Sequence, residues 1–208
     1  MLFDFNGVLT TSPFAHMHAL GEEHGVGGET VLELMLGDYD GDTDHAWHRL
    51  ERGEIDIASY GADLFSRAAE AGIDVDFSRM KDLMSRLEVH DVVVERIRKL
   101  RADGYRTALV TNNIKEASDL WRAMVPLDEL FDVVVDSCQV GMRKPNPAIY
   151  EHALALLGDV PAAQAVFLDD AEGNVSGAVR AGLHGILVDS DRPEIALAEL
   201  DQLLAAQT

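Results

Sequence analysis

Four short apolar runs in this chain each stop on residues with reactive side chains, and this pattern constrains the fold more than any other feature. Met1 to Phe3 runs into Asp4, and residues 107–110 run into Thr111, Asn112 and Asn113. Residues 131–135 lead to Asp136 and Ser137, and residues 165–168 lead to Asp169 and Asp170. Stretches with helical periodicity lie between the later runs: Val94, Ile97 and Leu100; Ile114, Ala117, Leu120 and Trp121; Ile149, Tyr150, Ala153, Leu154 and Leu157. A fifth run at 186–188 and a helix from Pro193 to about Ala205 close the chain. Continuous apolar strands alternating with helices predict an α/β fold, a doubly wound, Rossmann-like parallel sheet covered on both faces. Right-handed crossovers then bring every strand's carboxyl end to one edge, so Asp4, Thr111, Ser137 and Asp169 are expected to converge there.

The pattern is interrupted once. Ser12-Pro13 reads as a helix start, and from there to about Leu87 helical periodicity prevails. Phe14, Met17 and Leu20 share one face. Ile57, Tyr60, Gly61, Leu64, Phe65 and Ala68 follow an Asp56 cap, and Met80, Leu83, Met84 and Leu87 repeat the spacing. An acidic, turn-rich loop at 37–43 precedes a short helix with Trp47 and Leu50. The expected organisation is a core of residues 1–13 and 89–208 with a helical insertion at 14–88.

Composition narrows the function. Acidic residues outnumber basic ones 37 to 17, a net charge of −20. Nucleic acid and anionic membranes are poor partners for such a surface, because phosphate binding requires clustered Lys and Arg. A small cationic cofactor is favoured, and an anionic substrate needs a local cluster of donors. The single cysteine, Cys138, excludes an intramolecular disulfide framework and fits a reducing compartment. Asp4 interrupts the N-terminal apolar run and no run approaches the ~20 residues of a membrane span. A cytoplasmic location is expected.

Taken alone, Asp4 reads either as a nucleophile at a strand tip or as a turn acid before Gly7. The later strand ends favour the first reading. A carboxylate, a hydroxyl beside an amide, a loop lysine and an acid pair together match metal-assisted phosphoryl transfer. Asp4 with one or both of Asp169 and Asp170 would hold Mg²⁺, a hard ion that takes oxygen ligands. Asp4 would attack phosphorus, while Thr111, backbone N–H groups and Lys144 hold the oxygens that carry charge in the transition state.

The segments DFNGVLT (4–10), LVTNN (109–113), RKPNPAIY (143–150) and FLDDAEGN (167–174), in this order, resemble the four motifs of the haloacid dehalogenase-like (HAD) hydrolase superfamily. Residues 14–88 resemble the small helical cap of that superfamily. The run DSCQVGMRKPNPAIY with VFLDDAEGNV is most similar to the N-terminal phosphatase domain of soluble epoxide hydrolases. The resemblance implies a Mg²⁺-dependent hydrolase of small phosphorylated metabolites working through an aspartyl-phosphate. It implies that Asp4 is nucleophile and metal ligand, and that Asn6 is a ligand through its backbone carbonyl. Thr111 and Asn112 would bind the phosphoryl group, with Lys144 as charge clamp. Asp170 would be a direct metal ligand and Asp169 one acting through water.

One position departs from the family. Its phosphatases carry Asp where this chain has Asn6, and Asn can neither protonate a leaving group nor activate water. The expectation is a slow phosphatase, with a catalytically impaired phosphate- or metabolite-binding protein as the alternative. Deamidation at Asn6-Gly7 is a route back to an acid. A dehalogenase is the lesser alternative, because the family's dehalogenases resemble Ser-Ser-Asn where this chain has Leu168-Asp169-Asp170. A phosphonatase would need a cap lysine, and Lys81 reads as solvated. His16, His18, His24, His45 and His48 form no tight ligand set. Trp47 and Tyr60 read as packing residues or pocket walls, Arg143 as an anion contact or a solvated residue, and Cys138 as a small buried side chain.

Overall fold

The computed structural model describes residues 1–13, 28–73 and 87–206. Its sheet has five parallel strands, β1 (Leu2–Phe3), β2 (Ala108–Thr111), β3 (Val133–Asp136), β4 (Val166–Asp169) and β5 (His184–Leu187), in the order β3-β2-β1-β4-β5. The described helices are α1 (Gly28–Leu36), α2 (Ala46–Glu51), α3 (Ile57–Ala71), α4 (Asp91–Ala102), α5 (Ser118–Arg122), α6 (Leu127–Leu130), α7 (Ser137–Val140), α8 (Pro147–Leu156), α9 (Glu172–Arg180) and α10 (Pro193–Ala205). None of them is long and apolar enough to cross a membrane.

Alternation along the strands sorts side chains onto two faces. Phe3, Leu109, Val166 and Leu168 pack with Val94, Ile97 and Leu100 of α4 and with Leu197 and Leu200 of α10. Leu2, Val110 and Phe167 point the other way, against Ile149, Tyr150 and Ala153 of α8 and Ala178 of α9. This is the doubly wound sheet expected from the apolar runs. Strand order reverses at β1, so connections leave β1 and β4 in opposite directions and a crevice opens beyond their carboxyl ends. Phe3 pairs with Leu109 on one side and Leu168 on the other, and the Asp4 N–H donates to the Leu168 carbonyl at 2.9 Å. Asp4 therefore leaves the sheet beside Asp169.

The insertion leaves and rejoins the core through a narrow stem. The Thr11 N–H donates to the Glu88 carbonyl at 2.9 Å, the Glu88 N–H to Thr11 Oγ1 at 3.1 Å, and the His90 N–H to the Leu9 carbonyl at 2.8 Å. Beyond the stem, α1, α2 and α3 enclose their own apolar cluster of Val31, Met35, Leu36, Leu50, Tyr60 and Leu64. Asp56 caps α3 as expected, its Oδ1 accepting from the Ser59 N–H at 2.8 Å. Asn146 likewise caps α8, accepting from the Ala148 N–H at 3.1 Å.

Several details differ from the expectations. Phe65 is 51% exposed, because the inward stripe of α3 runs through Tyr60, Leu64 and Ala68. The helix expected from Ile114 begins as a short 3₁₀ turn at Lys115–Ala117, and Leu120 faces solvent. β5 starts two residues before the expected run, since His184 at this sheet edge needs no apolar partner. The expected helical positions Phe14, Met17, Leu20, Met80, Leu83 and Met84, with Lys81, His16, His18 and His24, lie outside the described residues; Leu87 lies in the stem and is not helical.

Leu109 is wholly buried at the centre of the first face. Leu109→Ala is expected to cost ~2–5 kcal/mol of unfolding free energy, the usual range for a buried leucine. Urea denaturation monitored by circular dichroism measures it.

Candidate functional site

Asp4 directly follows β1, β4 ends on Asp169, and the loop after α7 carries Lys144 between them. The Lys144 ammonium lies 2.5 Å from Asp4 Oδ1 and 2.7 Å from Asp169 Oδ2, with all three residues buried. Burial disfavours the ammonium, but the two carboxylates outweigh it and hold the Lys144 pKa above the ordinary lysine value. The Asp169 carboxylate is further occupied by the Asn174 amide at 3.0 and 3.1 Å and by the Ala171 N–H at 2.8 Å. A carboxylate with this many donors is fixed in place.

The loop that presents Lys144 is locked from β2. Asn112 Oδ1 accepts from the Lys144 N–H at 2.8 Å, and Asn112 Nδ2 donates to the Lys144 carbonyl at 3.0 Å. The Asn112 amide thus positions the lysine backbone, while Asn112 itself also lines the cavity. Thr111 is the reverse case: its hydroxyl is buried and has no hydrogen-bond partner among the described residues. Such an orphaned group costs stability unless a ligand satisfies it.

Asp170 follows Asp169 and turns toward β1. Gly7 has φ +79°, and a Cβ there would sit 2.0 Å from Asp170 Oδ2, so glycine is required for the turn to pass over this carboxylate. Asp4, Asp169 and Asp170 offer oxygens that all lie within 4.8 Å of one another. Burial, followed by the charge of Asp169, pushes the Asp170 carboxyl up to about 7. Asp4 is also raised well above its ordinary value, first by burial, although Lys144 opposes this. Fully ionised, three carboxylates against one ammonium would leave an excess of two negative charges, a crowding that the raised Asp4 and Asp170 carboxyls reflect. An all-oxygen donor set with that excess fits a hard divalent cation such as Mg²⁺.

A cavity of about 60 Å³ lies over these groups, lined by Asp4, Asn6, Asn112 and Asp170 below and by Leu36, Tyr39, Trp47 and Glu51 of the insertion above. At roughly 10–15 Å³ per water it accommodates a few waters. Asn6 Oδ1 is buried there without a hydrogen-bond partner. Trp47 both walls this cavity and packs edge-on against Tyr60, ring centroids 5.3 Å apart.

The insertion is seated by polar contacts. Asp40 Oδ1 accepts from the Gly173 N–H at 2.9 Å, Lys115 Nζ donates to the Gly53 carbonyl at 3.1 Å, and Glu116 accepts from the Ile57 N–H at 3.0 Å. Arg143, expected as an anion contact or a solvated residue, is not solvated, and the anion it meets is a side chain of the protein. It is fully buried, its Nε donating to Glu51 Oε2 at 2.8 Å and its Nη1 to the Gly41 carbonyl. No local pattern announces a partner 92 residues away. Cys138 is buried, and burial with the nearby Asp136 carboxylate pushes its thiol up to about 12, an unreactive state.

A family model described as haloacid dehalogenase-like hydrolase matches residues 1–182. Acyl-CoA dehydrogenase family member 10 of Mus musculus is 34% identical over 98% of this chain, which covers 19% of that protein. Bifunctional epoxide hydrolase 2 of Rattus norvegicus is 34% identical over 68% of this chain, 26% of that protein. The chain thus spans about a fifth to a quarter of the length of these two relatives. A HAD-family enzyme of Bacteroides thetaiotaomicron, solved with magnesium and inorganic phosphate, superposes with a TM-score of 0.62 at 19% identity. It covers 91% of this chain and 93% of its own.

His48 gives the inserted segment a pH dependence of its own. Its Nδ1 accepts from the Thr43 N–H at 3.0 Å, which requires the neutral ring at that nitrogen. Burial first, then Arg143, lower its pKa to about 4, against ~6.5 in an unfolded chain. The unfolded state therefore binds the proton more readily. The stabilisation is complete above about 6.5 and is lost as pH falls through about 4. Thermal melts between pH 7.5 and 4 are expected to show a smaller loss of Tm for His48→Gln than for the unaltered protein.

Proposed function

The chain belongs to the haloacid dehalogenase-like hydrolases, and from that premise we propose that it is a Mg²⁺-dependent hydrolase of small phosphomonoesters in the cytoplasm. The observation that carries this reading is the meeting of Asp4, Asp169 and Asp170 around Lys144, beside the unpartnered Thr111 hydroxyl. Asp4 is the nucleophile. Its carboxylate attacks phosphorus, the ester oxygen leaves with the bonding pair, and water later cleaves the aspartyl-phosphate. Thr111 donates its hydroxyl to a phosphoryl oxygen, Lys144 neutralises the charge on the transferring group, and Asn112 keeps Lys144 in place.

Asp4, Asp170 and the Asn6 backbone carbonyl would hold Mg²⁺, with Asp169 acting through water. The ion supplies charge neutralisation at the phosphoryl oxygens. The magnesium and phosphate of the Bacteroides thetaiotaomicron enzyme support this assignment. Residues 14–88 serve as the cap that closes over the reacting groups and excludes water.

Asn6 sets the rate. It lines the cavity without a titratable proton, so departure of the alcohol and activation of water go unassisted. General acid–base catalysis is worth ~10²–10⁴-fold, and esters with good leaving groups lose least without it. Asn6 also favours a second reading, a phosphate-binding protein that has lost turnover.

Hydrolysis of an aryl phosphate, with and without Mg²⁺, separates the two. Slow, Mg²⁺-dependent turnover is expected, rising at least tenfold in Asn6→Asp and disappearing in Asp4→Asn. If neither the unaltered chain nor Asn6→Asp turns over while calorimetry detects phosphate binding, the binding-protein reading holds instead.

A further inference from the structure

The cavity over Asp4 has a carboxylate in its roof that phosphoryl transfer does not use. Glu51, the last residue of α2, lines the cavity with Leu36, Tyr39 and Trp47 and is 1% exposed. Its Oε2 is held from behind by Arg143 Nε at 2.8 Å. A carboxylate is an acceptor with about four lone-pair sites. Arg143 donates to it at 2.8 Å, and the Trp47 indole lies beside it as a second, weaker donor. With about four lone-pair sites and two neighbouring donors, this cavity-lining carboxylate can accept a further hydrogen bond from an occupant.

We propose that Glu51 is the specificity-determining residue for the leaving group. It accepts a hydrogen bond from a hydroxyl on the alcohol portion, so that the substrate class is a polyhydroxylated phosphomonoester rather than a plain alkyl ester. The proposal rests on the phosphomonoesterase reading above. Charge compensation selects a hydroxyl over an ammonium. Arg143 already neutralises Glu51, and the same guanidinium lies 5.4 Å from the Tyr39 ring centroid, occupying the aromatic face that would otherwise attract a cation. Leu36, Trp47 and Ile114 leave apolar wall for the carbon skeleton. A site built to bond a hydroxyl rejects the analogue that lacks it far more strongly than an apolar pocket rejects a missing methylene.

The test compares glycerol 1-phosphate, propyl phosphate and 3-aminopropyl phosphate as substrates in the presence of Mg²⁺. The expected result is a kcat/KM for the glycerol ester at least tenfold above the propyl ester, with the amino ester no better than propyl. In the double variant Glu51→Met/Arg143→Met, which removes the acceptor without stranding a buried charge, that ratio should fall to within about threefold. Near-equal use of the glycerol and propyl esters by the unaltered protein would overturn the proposal, as would preference for the amino ester. So would a ratio that survives in a folded double variant. The comparison within the unaltered protein stands even if the double variant does not fold. If no ester is hydrolysed by this protein or by Asn6→Asp, the phosphomonoesterase reading fails separately. Calorimetric affinities of the same three esters with Mg²⁺ then decide: tighter binding of the glycerol ester supports a hydroxyl-reading Glu51, and equal affinities reject it.

Discussion

A buried ammonium between two buried carboxylates ties this molecule together. Lys144 reaches Asp4 at the end of β1 and Asp169 at the end of β4, and so joins two strands and a loop at the crevice where the strand order reverses. Buried acids need compensation, because desolvation in a dry site is expensive. That requirement explains the surrounding construction. Asn112 clamps the lysine's backbone, Asn174 and the Ala171 N–H hold Asp169, and Gly7 makes room for Asp170. Each contact restricts one member of the cluster, and the loops that leave the strand ends are held by these contacts as firmly as the strands themselves.

Much of this was legible in the sequence because it follows from local rules. Apolar runs that stop on polar residues place side chains at strand ends, and parallel topology gathers those ends on one edge. Asp56 could be read as a helix cap because an N-cap is decided within three residues. The misread positions depend on neighbours that a linear pattern does not show. Phe65 sits one residue from an inward leucine and points elsewhere, and Leu120 faces solvent although its spacing suits a core stripe.

Arg143 is the most instructive of these. Beside Lys144 it looks like a second loop cation, yet the two side chains part company. Lys144 points into the crevice toward Asp4, and Arg143 rises into the inserted helices toward Glu51 and Gly41. The consequence is that one short loop addresses both the reacting groups and the layer above them. Charge alone did not distinguish their roles; the identity of the distant acid did.

The stem through which the insertion departs and returns is narrow. Thr11 meets Glu88 and Leu9 meets His90, so the two junctions lie side by side and the sheet experiences the whole insert as if it were a single tight loop. Closing a loop whose ends are already neighbours costs little more as it lengthens. The sheet's own register is therefore undisturbed by the length of chain between the two junctions, and what ties that chain to the reacting groups is the set of contacts made farther up, such as Asp40 with Gly173 and Arg143 with Glu51.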